Sequence, residues 1–256
     1  MKRGCVTLLT EFGWRKDGID QRDHPFVPDA AGARPAKIDL STSAFQPPIA
    51  DQRPLSSCSA HAIGAMFSYV NEKEGRAPIV PSRLFIYYNE RSLEGTVMTD
   101  SGAKIRDGIK SIAKHGVCDE AEWPYDCTKF TQEPPAACYQ SALAHRAIAY
   151  SSLAGRRHDL EACLADGYPF VFGMSVYSNF CTAQVSQTGV GAMPGLADTL
   201  MGGHAVMATG YDRGAQTFLI RNSCGVSWGM RGYFTLPYDF LESRHLTDNF
   251  WTIRRI

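Results

Sequence analysis

A cysteine at the expected start of a helix is the residue of this chain best suited to chemistry. Cys58 follows Ser56 and Ser57, and it opens an apolar run that includes Ile63 and Phe67. A serine hydroxyl can cap the first turn of such a helix, and the helix dipole places partial positive charge beside the thiol. This charge favours the thiolate, which is the nucleophilic form of cysteine. The pattern therefore predicts a nucleophile at Cys58.

Gln52 lies six residues before this cysteine and carries a side-chain amide that can face the same spot. A fixed amide donor is what the developing oxyanion of an acyl transfer needs. We therefore expect Gln52 to complete an oxyanion hole beside Cys58.

A base and its orienting partner are expected from two strand-like runs. His204 begins a small, apolar run, and a second run over 217–221 leads to Asn222, with the turn-forming residues 212–214 between them. A hairpin folded about residue 213 places His204 and Asn222 opposite each other, and cross-strand neighbours lie about 5 Å apart. The Asn222 amide oxygen can then orient the imidazole. Together with Cys58 these residues make the nucleophile, base and orienting group of a triad.

The order Gln52, Cys58, His204, Asn222 resembles that of the papain-like cysteine peptidases, most closely their short bacterial members. The resemblance extends over about 38–236. Three further stretches carry it: Asp100-Ser101-Gly102 resembles the family's Asn-Gly-Gly substrate-binding strand, Trp123-Pro124-Tyr125 resembles Tyr-Pro-Tyr, and 222–229 resembles Asn-Ser-Trp-Gly-x-x-Trp-Gly.

The resemblance implies an α+β fold of two lobes with the active-site cleft between them. The helical left lobe is expected at about 50–150, and the antiparallel, barrel-like β lobe at about 150–256 together with 38–49. The implied activity is that of a cysteine endopeptidase, a hydrolase that cleaves a protein or peptide substrate through a thioester acyl-enzyme. This mechanism needs no metal or organic cofactor.

Four residues are implied as substrate contacts: Ser101, Gly102, Gly203 and Trp228. The backbone of Ser101 and Gly102 would pair with an extended peptide. Judged alone, Trp228 fits a packed core aromatic better than a participant in chemistry.

Two departures from the family lie close to these residues. Leu55 stands where the family has a cysteine, and the family's partner for that cysteine aligns with Thr99. Both halves of one family disulfide are absent together, which indicates a lost cross-link and not a damaged active site. Cys224 stands where a tryptophan shields the bond between His204 and Asn222, so we expect that hydrogen bond to be wetter.

Hydrophobic patterning places helices before residue 150 and strands after it. The expected helices are 58–75, 82–91 and 101–115; the expected strands are 170–176, 204–211, 217–221 and 232–236, with a long functional or mobile loop over 178–201.

Composition excludes some classes of function. The 256 residues carry 26 acidic and 26 basic side chains, so nucleic-acid and anionic-membrane binding are not predicted. No apolar run of about 18 residues occurs, and the first residues lack the apolar stretch of an export signal. We expect a soluble monomer, and the compartment stays open.

The eight cysteines indicate at least one free thiol. Without Cys58 seven remain, an odd number that cannot all pair within one chain. No C-x-x-C pair occurs, so a zinc cluster is not expected. One local disulfide is possible among Cys118, Cys127 and Cys138.

Two other functions use the same residues. Another Cys/His acyl transfer, such as transglutamination or deamidation, needs the same nucleophile and base. A non-catalytic binding module of papain-like fold would normally have lost one of the four residues, and all four are present. His61, on the same helix face as Cys58, is a rival base, but it lacks an orienting partner and is expected to be a packing residue.

Residues 1–37 precede the peptidase-like part, 38–256, and are too few for a helical pro-domain. They contain Phe12-Gly13-Trp14 and the charged Arg22-Asp23-His24, which are anchors that a loose leader would not need. We expect a pro-like or regulatory segment that lies over or beside the cleft and lowers activity until displaced, as in a zymogen. A disordered tail is the alternative.

Overall fold

The structure is a computed structural model that describes residues 12–18, 20–28 and 34–256. Across these ranges helices come mainly before residue 150 and strands mainly after it, so the predicted two-lobed α+β fold is confirmed. The helices are α1 (Cys58–Lys73), α2 (Arg83–Glu94), α3 (Ile105–Lys114), α4 (Ala136–Ala142), α5 (Arg157–Ala165), α6 (Ala183–Thr188) and α7 (Tyr238–Glu242), with 3-10 turns at Leu40–Thr42 and Cys127–Lys129. The strands are β1 (Lys37–Asp39), β2 (Ala149–Leu153), β3 (Phe170–Tyr177), β4 (Leu200–Asp212), β5 (Thr217–Arg221), β6 (Tyr233–Pro237) and β7 (Thr247–Arg255).

All paired strands of the described sheet run antiparallel. The order along the sheet is β2-β7-β3-β4-β5-β6, and β1 pairs with β4 outside this path. β4 is therefore the central strand, because it pairs with β1, β3 and β5. This position fixes the backbone on either side of His204.

Helix α1 is the central helix of the molecule. Most of its residues are buried, including Cys58, Ile63 and Phe67. A helix that is apolar on nearly all faces is stable only when it is surrounded by protein. It packs against α2 and α3 on one side and against β4 on the other.

Local signals define the next two helices. Ser82 caps α2 by accepting a hydrogen bond from the Phe85 N–H, and Gly95 ends it in the left-handed conformation at φ 69°. In α3 the buried isoleucines 105, 109 and 112 repeat every three to four residues and form one apolar face. α3 begins later than predicted, because residues 101–104 are not helical.

The two lobes share one hydrophobic core. Side chains of α1, α2 and α3 pack with Val171, Met207 and Trp251 of the sheet. A second core within the β lobe is aromatic and includes Phe172 and Phe250, whose rings stack at 5.3 Å. The shared core means that the two lobes are joined by apolar packing.

The far end of α1 is held to the end of β7. The Ile256 N–H donates to the Glu74 carboxylate at 3.1 Å, and Arg76 donates to the Ile256 carbonyl. Ile256 is itself buried in the shared core. Helix α1 is thus tied to the β lobe at both of its ends.

Strands β2 and β7 were not predicted from the sequence. The buried residues of β7 are consecutive, 250–253. Strands β2 and β3 pair with the two edges of β7, and layers of protein cover both of its faces. Such a run lacks the alternation by which a strand is recognised.

Seven cysteines lie in the described part of the chain, and all are free thiols, so none of Cys118, Cys127 and Cys138 forms a disulfide; Cys5 lies outside it. Among the described residues, no helix is long and apolar enough to cross a membrane.

Candidate active site

Cys58 is the first residue of α1, as predicted, but the predicted serine cap is wrong. Ser57 occupies the capping position, but its side chain makes no capping hydrogen bond to the helix backbone. Its hydroxyl instead lies 2.6 Å from the Tyr125 hydroxyl. The Ser57 hydroxyl is thus bonded to a residue 68 positions away in sequence and not to the backbone of the first turn of α1.

The predicted hairpin between β4 and β5 is confirmed, but its register differs. Met207 pairs with Arg221, and the register shifts between Ala208 and Gly210. His204 is therefore not directly opposite Asn222, and its side chain reaches along the sheet. The His204 Nε2–H donates to Asn222 Oδ1 at 2.8 Å, which leaves Nδ1 without a hydrogen bond among the described residues.

The Cys58 sulfur is held against β4. The backbone N–H of Ala205, the residue after His204, donates to Cys58 Sγ at 3.3 Å. The Gly13 backbone lies near the same sulfur. The first contact brings the nucleophile candidate of one lobe beside the base candidate of the other.

Gln52 is buried and its side chain is fixed at both ends. Its Oε1 accepts from the Ser223 hydroxyl at 2.6 Å, and its Nε2 donates to the Leu55 carbonyl at 3.1 Å. One Nε2–H remains for a further acceptor. Ser223 was not predicted, although its place directly after Asn222 was a signal for it.

Shielding of the bond between His204 and Asn222 does not depend on a tryptophan. His204 is 0% and Asn222 3% exposed, so the expectation of a wetter bond is wrong. The buried Cys224 thiol lies beside Asn222, and the Ser223 N–H donates to Asn222 Oδ1 at 2.9 Å.

His61 is a packing residue. Its ring meets the Tyr125 ring edge-on at 4.9 Å, and its Nδ1 lies 3.0 Å from the Ser57 carbonyl. Burial lowers the pKa of His61 to about 3, so its imidazole is neutral at ordinary pH.

Residues 12–18, called the strap below, run through the space between Cys58 and the substrate-binding candidates. The Ala103 N–H donates to the Gly13 carbonyl at 2.8 Å, and the Arg15 N–H donates to the Ala103 carbonyl at 3.2 Å. On the other side the Trp14 N–H donates to the Gly203 carbonyl at 2.9 Å. The strap is thus a short strand between the two lobes, parallel to the segment at Ala103.

Glycines make room for the strap. A β-carbon on Gly102, which is left-handed at φ 64°, would lie 1.8 Å from the Gly13 carbonyl oxygen. A β-carbon on Gly173 would lie 1.9 Å from Trp14 Cε2. Neither position tolerates a side chain while the strap is in place.

The substrate-binding candidates fall into two groups. Gly102 and Gly203 contact the strap, and Ser101 precedes Gly102 with its hydroxyl on Thr96 Oγ1 at 3.0 Å. Trp228 is buried in the second core beside Phe180, so its contact with a substrate stays a prediction.

Burial sets the protonation of the two central residues. It raises the pKa of the Cys58 thiol to about 11 and lowers the pKa of His204 to about 4. Both side chains are wholly inaccessible, and desolvation disfavours charge more than the helix dipole favours it. With the strap in place the pair is a neutral thiol and a neutral imidazole, not the expected thiolate.

In the described part of the chain, no three His, Cys, Asp or Glu side chains are placed to hold a metal ion. The candidate site thus brings together the predicted nucleophile, base, orienting amide and oxyanion donor, which come from both lobes.

Comparison with known proteins gives a consistent result. The family model described as papain family cysteine protease matches residues 34–246. An uncharacterized peptidase C1-like protein of Acanthamoeba polyphaga mimivirus is 35% identical over 98% of this chain and 88% of its own length. The crystal structure of xylellain, a cysteine protease from Xylella fastidiosa, is 41% identical with a TM-score of 0.91, covering 96% of this chain and 97% of the other. The fold is also that of procathepsin B S9 from Trypanosoma congolense, 18% identical with a TM-score of 0.72 over 89% of this chain and 81% of that one.

The burial of Cys58 predicts slow alkylation by iodoacetamide in the full chain. At pH 7 the thiol is protonated, and the rate should rise about tenfold per pH unit until the pH approaches about 11. Trp14→Ala, which removes the indole from the space beside Gly173, should speed alkylation of Cys58 at pH 7 at least tenfold. Peptide mapping measures both rates, with the half-buried Cys127 as the internal reference. Rapid alkylation of Cys58 at pH 6 in the unaltered chain would contradict the described burial.

Proposed function

The chain belongs to the papain family of cysteine proteases and is a peptide-bond hydrolase, and from this premise we propose that Cys58, His204, Asn222 and Gln52 are its catalytic residues. The observation that carries the proposal is the bond between His204 and Asn222 at 2.8 Å beside a strand whose next N–H binds the Cys58 sulfur. A nucleophile, a base and an orienting amide thus lie together although they come from distant parts of the chain.

The proposed reaction begins when the cleft is open to substrate and water. Proton transfer from Cys58 to His204 Nδ1 gives a thiolate and an imidazolium, which are no longer opposed by burial. The thiolate attacks the scissile carbonyl, and the Cys58 backbone N–H and the free Nε2–H of Gln52 hold the oxyanion.

His204 then serves as acid and as base. Its imidazolium protonates the leaving amine as the C–N bond breaks, which leaves a thioester on Cys58. The neutral imidazole next takes a proton from a water molecule as its oxygen bonds to the thioester carbon. The C–S bond then breaks, the carboxylic acid leaves, and the proton on His204 returns to the Cys58 sulfur. Asn222 keeps the ring in one orientation throughout by accepting from Nε2–H.

The proposed substrates are proteins or peptides in extended conformation. The strap engages the N–H and C=O of Ala103 and the Gly203 carbonyl, which are backbone groups that an extended peptide can also use. Gly102 and Gly203 act by allowing close approach of the peptide backbone, and Ser101 by holding the turn that precedes it.

The strap is proposed to inhibit the enzyme without being cleaved. The strap group near the Cys58 sulfur is the Gly13 backbone, whose N–H is not an electrophile. The Gly13 carbonyl is bound to the Ala103 N–H. The nearest part of the strap therefore blocks the thiol and offers it no carbonyl carbon to attack.

Charged contacts anchor the strap and the residues after it. Lys16 pairs with Asp248 at 2.6 Å, and Asp23 pairs with Arg106 at 2.6 Å. The backbone also pairs with β2, since the Phe26 N–H donates to the Ser152 carbonyl at 2.7 Å. These contacts support a division into a regulatory segment, 1–37, and a peptidase domain, 38–256. Residues 1–11, 19 and 29–33 of that segment lie outside the described residues.

Substitutions of the three central residues test the assignment. We expect no turnover for Cys58→Ala, a loss of about a thousandfold or more for His204→Ala, and about tenfold to a hundredfold for Asn222→Ala, which acts only through His204. The measurement is kcat/KM on a fluorogenic dipeptide, with folding checked by circular dichroism. Equal losses for His204→Ala and Asn222→Ala would contradict the division of roles, and turnover by Cys58→Ala would contradict the assignment as a whole. Transfer to an added amine in place of hydrolysis would favour the acyl-transferase alternative.

Removal of the strap tests inhibition. A chain that starts at Ala36 should cleave the same dipeptide with a higher kcat/KM than the full chain, and Trp14→Ala should give an intermediate value. Val27→Ala, which alters a residue of the segment that is 81% exposed, is the matched control and should behave as the full chain does. Equal rates for the full and truncated proteins, both folded, would mean that the strap is only structural.

The buried carboxyl of Asp17 should make docking of the strap depend on pH. Burial raises the pKa of this carboxyl from 3.8 to about 6, against the opposing charge of Arg106. A raised pKa means that the docked strap holds the proton more tightly than the free strap. The protonated carboxyl therefore favours the docked strap. This effect is fully present below about pH 4 and is lost as the pH rises through about 6, so that the docking constant falls by up to about a hundredfold.

The measurement is the ratio of full-chain to truncated-chain kcat/KM between pH 5 and 7. We expect the ratio to rise with pH in the unaltered protein and to stay nearly constant in Asp17→Asn. A ratio that rises equally in both proteins would show that another group controls docking.

A further inference from the structure

We propose that Tyr87 and Asp100 are positioning residues that hold the loop before Cys58 against the backbone that faces the cleft. The inference rests on the proposed function and adds to it the means by which the oxyanion donors and the substrate-binding backbone are kept in register. The group is called the staple below, and it consists of Ser56, Tyr87, Asp100 and Gly102.

Hydrogen bonds join the members of the staple in a continuous chain. The Ser56 N–H lies 3.1 Å from each carboxylate oxygen of Asp100. The Tyr87 hydroxyl donates to Asp100 Oδ1, and the Gly102 N–H donates to the Tyr87 oxygen at 3.2 Å. One tyrosine hydroxyl therefore links a residue of the loop before α1 to a residue of the cleft, through the carboxylate of Asp100.

Tyr87 cannot easily change its position. It is fully buried on α2, and the Arg91 guanidinium lies 3.9 Å from the centre of its ring. Arg91 also donates to the Val97 carbonyl at 2.8 Å and to the Thr99 carbonyl at 2.9 Å. The loop that carries Asp100 is thus fixed to the same helix as the tyrosine.

The two ends of the staple lie at the groups that a peptidase must align. Ser56 belongs to the loop 52–57, which carries Gln52 and leads into the Cys58 N–H. Gly102 precedes Ala103, whose N–H and C=O bind the strap as they would bind an extended peptide. A shift of one end relative to the other would separate the scissile carbonyl from the oxyanion donors.

The staple joins two segments that no disulfide joins in the described part of the chain. One segment is the loop before α1, which contains Ser56, and the other is the loop after α2, which contains Asp100. A hydrogen bond to a carboxylate is stronger than one between neutral groups, so the bonds to Asp100 are suited to hold the two segments together.

The test uses the full chain with Trp14→Ala, so that the strap is weakened equally in every protein compared. In this background Tyr87→Phe and Asp100→Ala should each lower kcat about tenfold with little change in KM. The double variant should lose no more than the worse single one, because both break the same chain of bonds. Asp100→Asn, which keeps one acceptor oxygen, should recover most of the rate.

The control variant is Asp39→Ala. Asp39 is also a carboxylate that accepts from a backbone N–H, that of Ser41 at 2.9 Å, but it lies at the end of β1 and not in the loop before Cys58. It should leave kcat unchanged. Alkylation of Cys58 by iodoacetamide should be unchanged in all staple variants, because this reaction needs the thiolate but no oxyanion hole.

Three results would overturn the inference. If Asp100→Ala behaves like Asp39→Ala in an active background, the staple does not position the catalytic groups. If kcat, alkylation and thermal stability fall together, Tyr87 and Asp100 serve folding alone. If the Trp14→Ala background cleaves no peptide although Cys58 is readily alkylated, the proposed function fails first and the staple inference falls with it.

Discussion

The packing of α1 against β4 is the contact on which the rest of the molecule depends. Cys58 and His204 are 146 residues apart in sequence, and only this contact brings them together. At this seam the shared core includes small residues of both elements, Ala60 and Ala62 of the helix and Ala205 of the strand. Small side chains let the backbones approach closely, and for this reason the Ala205 N–H reaches the Cys58 sulfur. A larger residue at this seam would move the sulfur away from the imidazole.

The close packing of α1 against β4 also makes the charge of Cys58 and His204 depend on the segment that covers them. The strap crosses the cleft beside Cys58 and His204, both side chains are inaccessible to solvent, and burial disfavours the charge on each. In the proposed function the strap would combine two forms of inhibition. It occupies the backbone positions at Ala103 and Gly203, and it would withdraw the ion pair on which nucleophilic attack depends.

The sequence predicted the four central residues because each stands in a short motif whose chemistry is local. Contacts between segments that are distant in sequence could not be predicted. The cap by Ser57 failed because Tyr125 competes for the hydroxyl from another loop. The register of the hairpin failed because an irregularity near residue 209 cannot be read from apolar alternation. The raised pKa of Cys58 was missed because its cause is burial, which depends on how segments distant in sequence pack together.

The attachment of α1 at both ends has a consequence for how the cleft can open. Near its start the helix is bound to β4 through Cys58, and just beyond its end Glu74 and Arg76 bind Ile256 beside β7. Two separated attachments leave only the line between them as an axis about which one lobe could rotate, and the shared hydrophobic core opposes that rotation. Under the proposed function, access to the thiol would then come from displacement of the strap, with little movement between the lobes. Such an enzyme would bind its substrates in a preformed groove. The segment that moves to expose this groove would be the strap, which stays attached to the same chain.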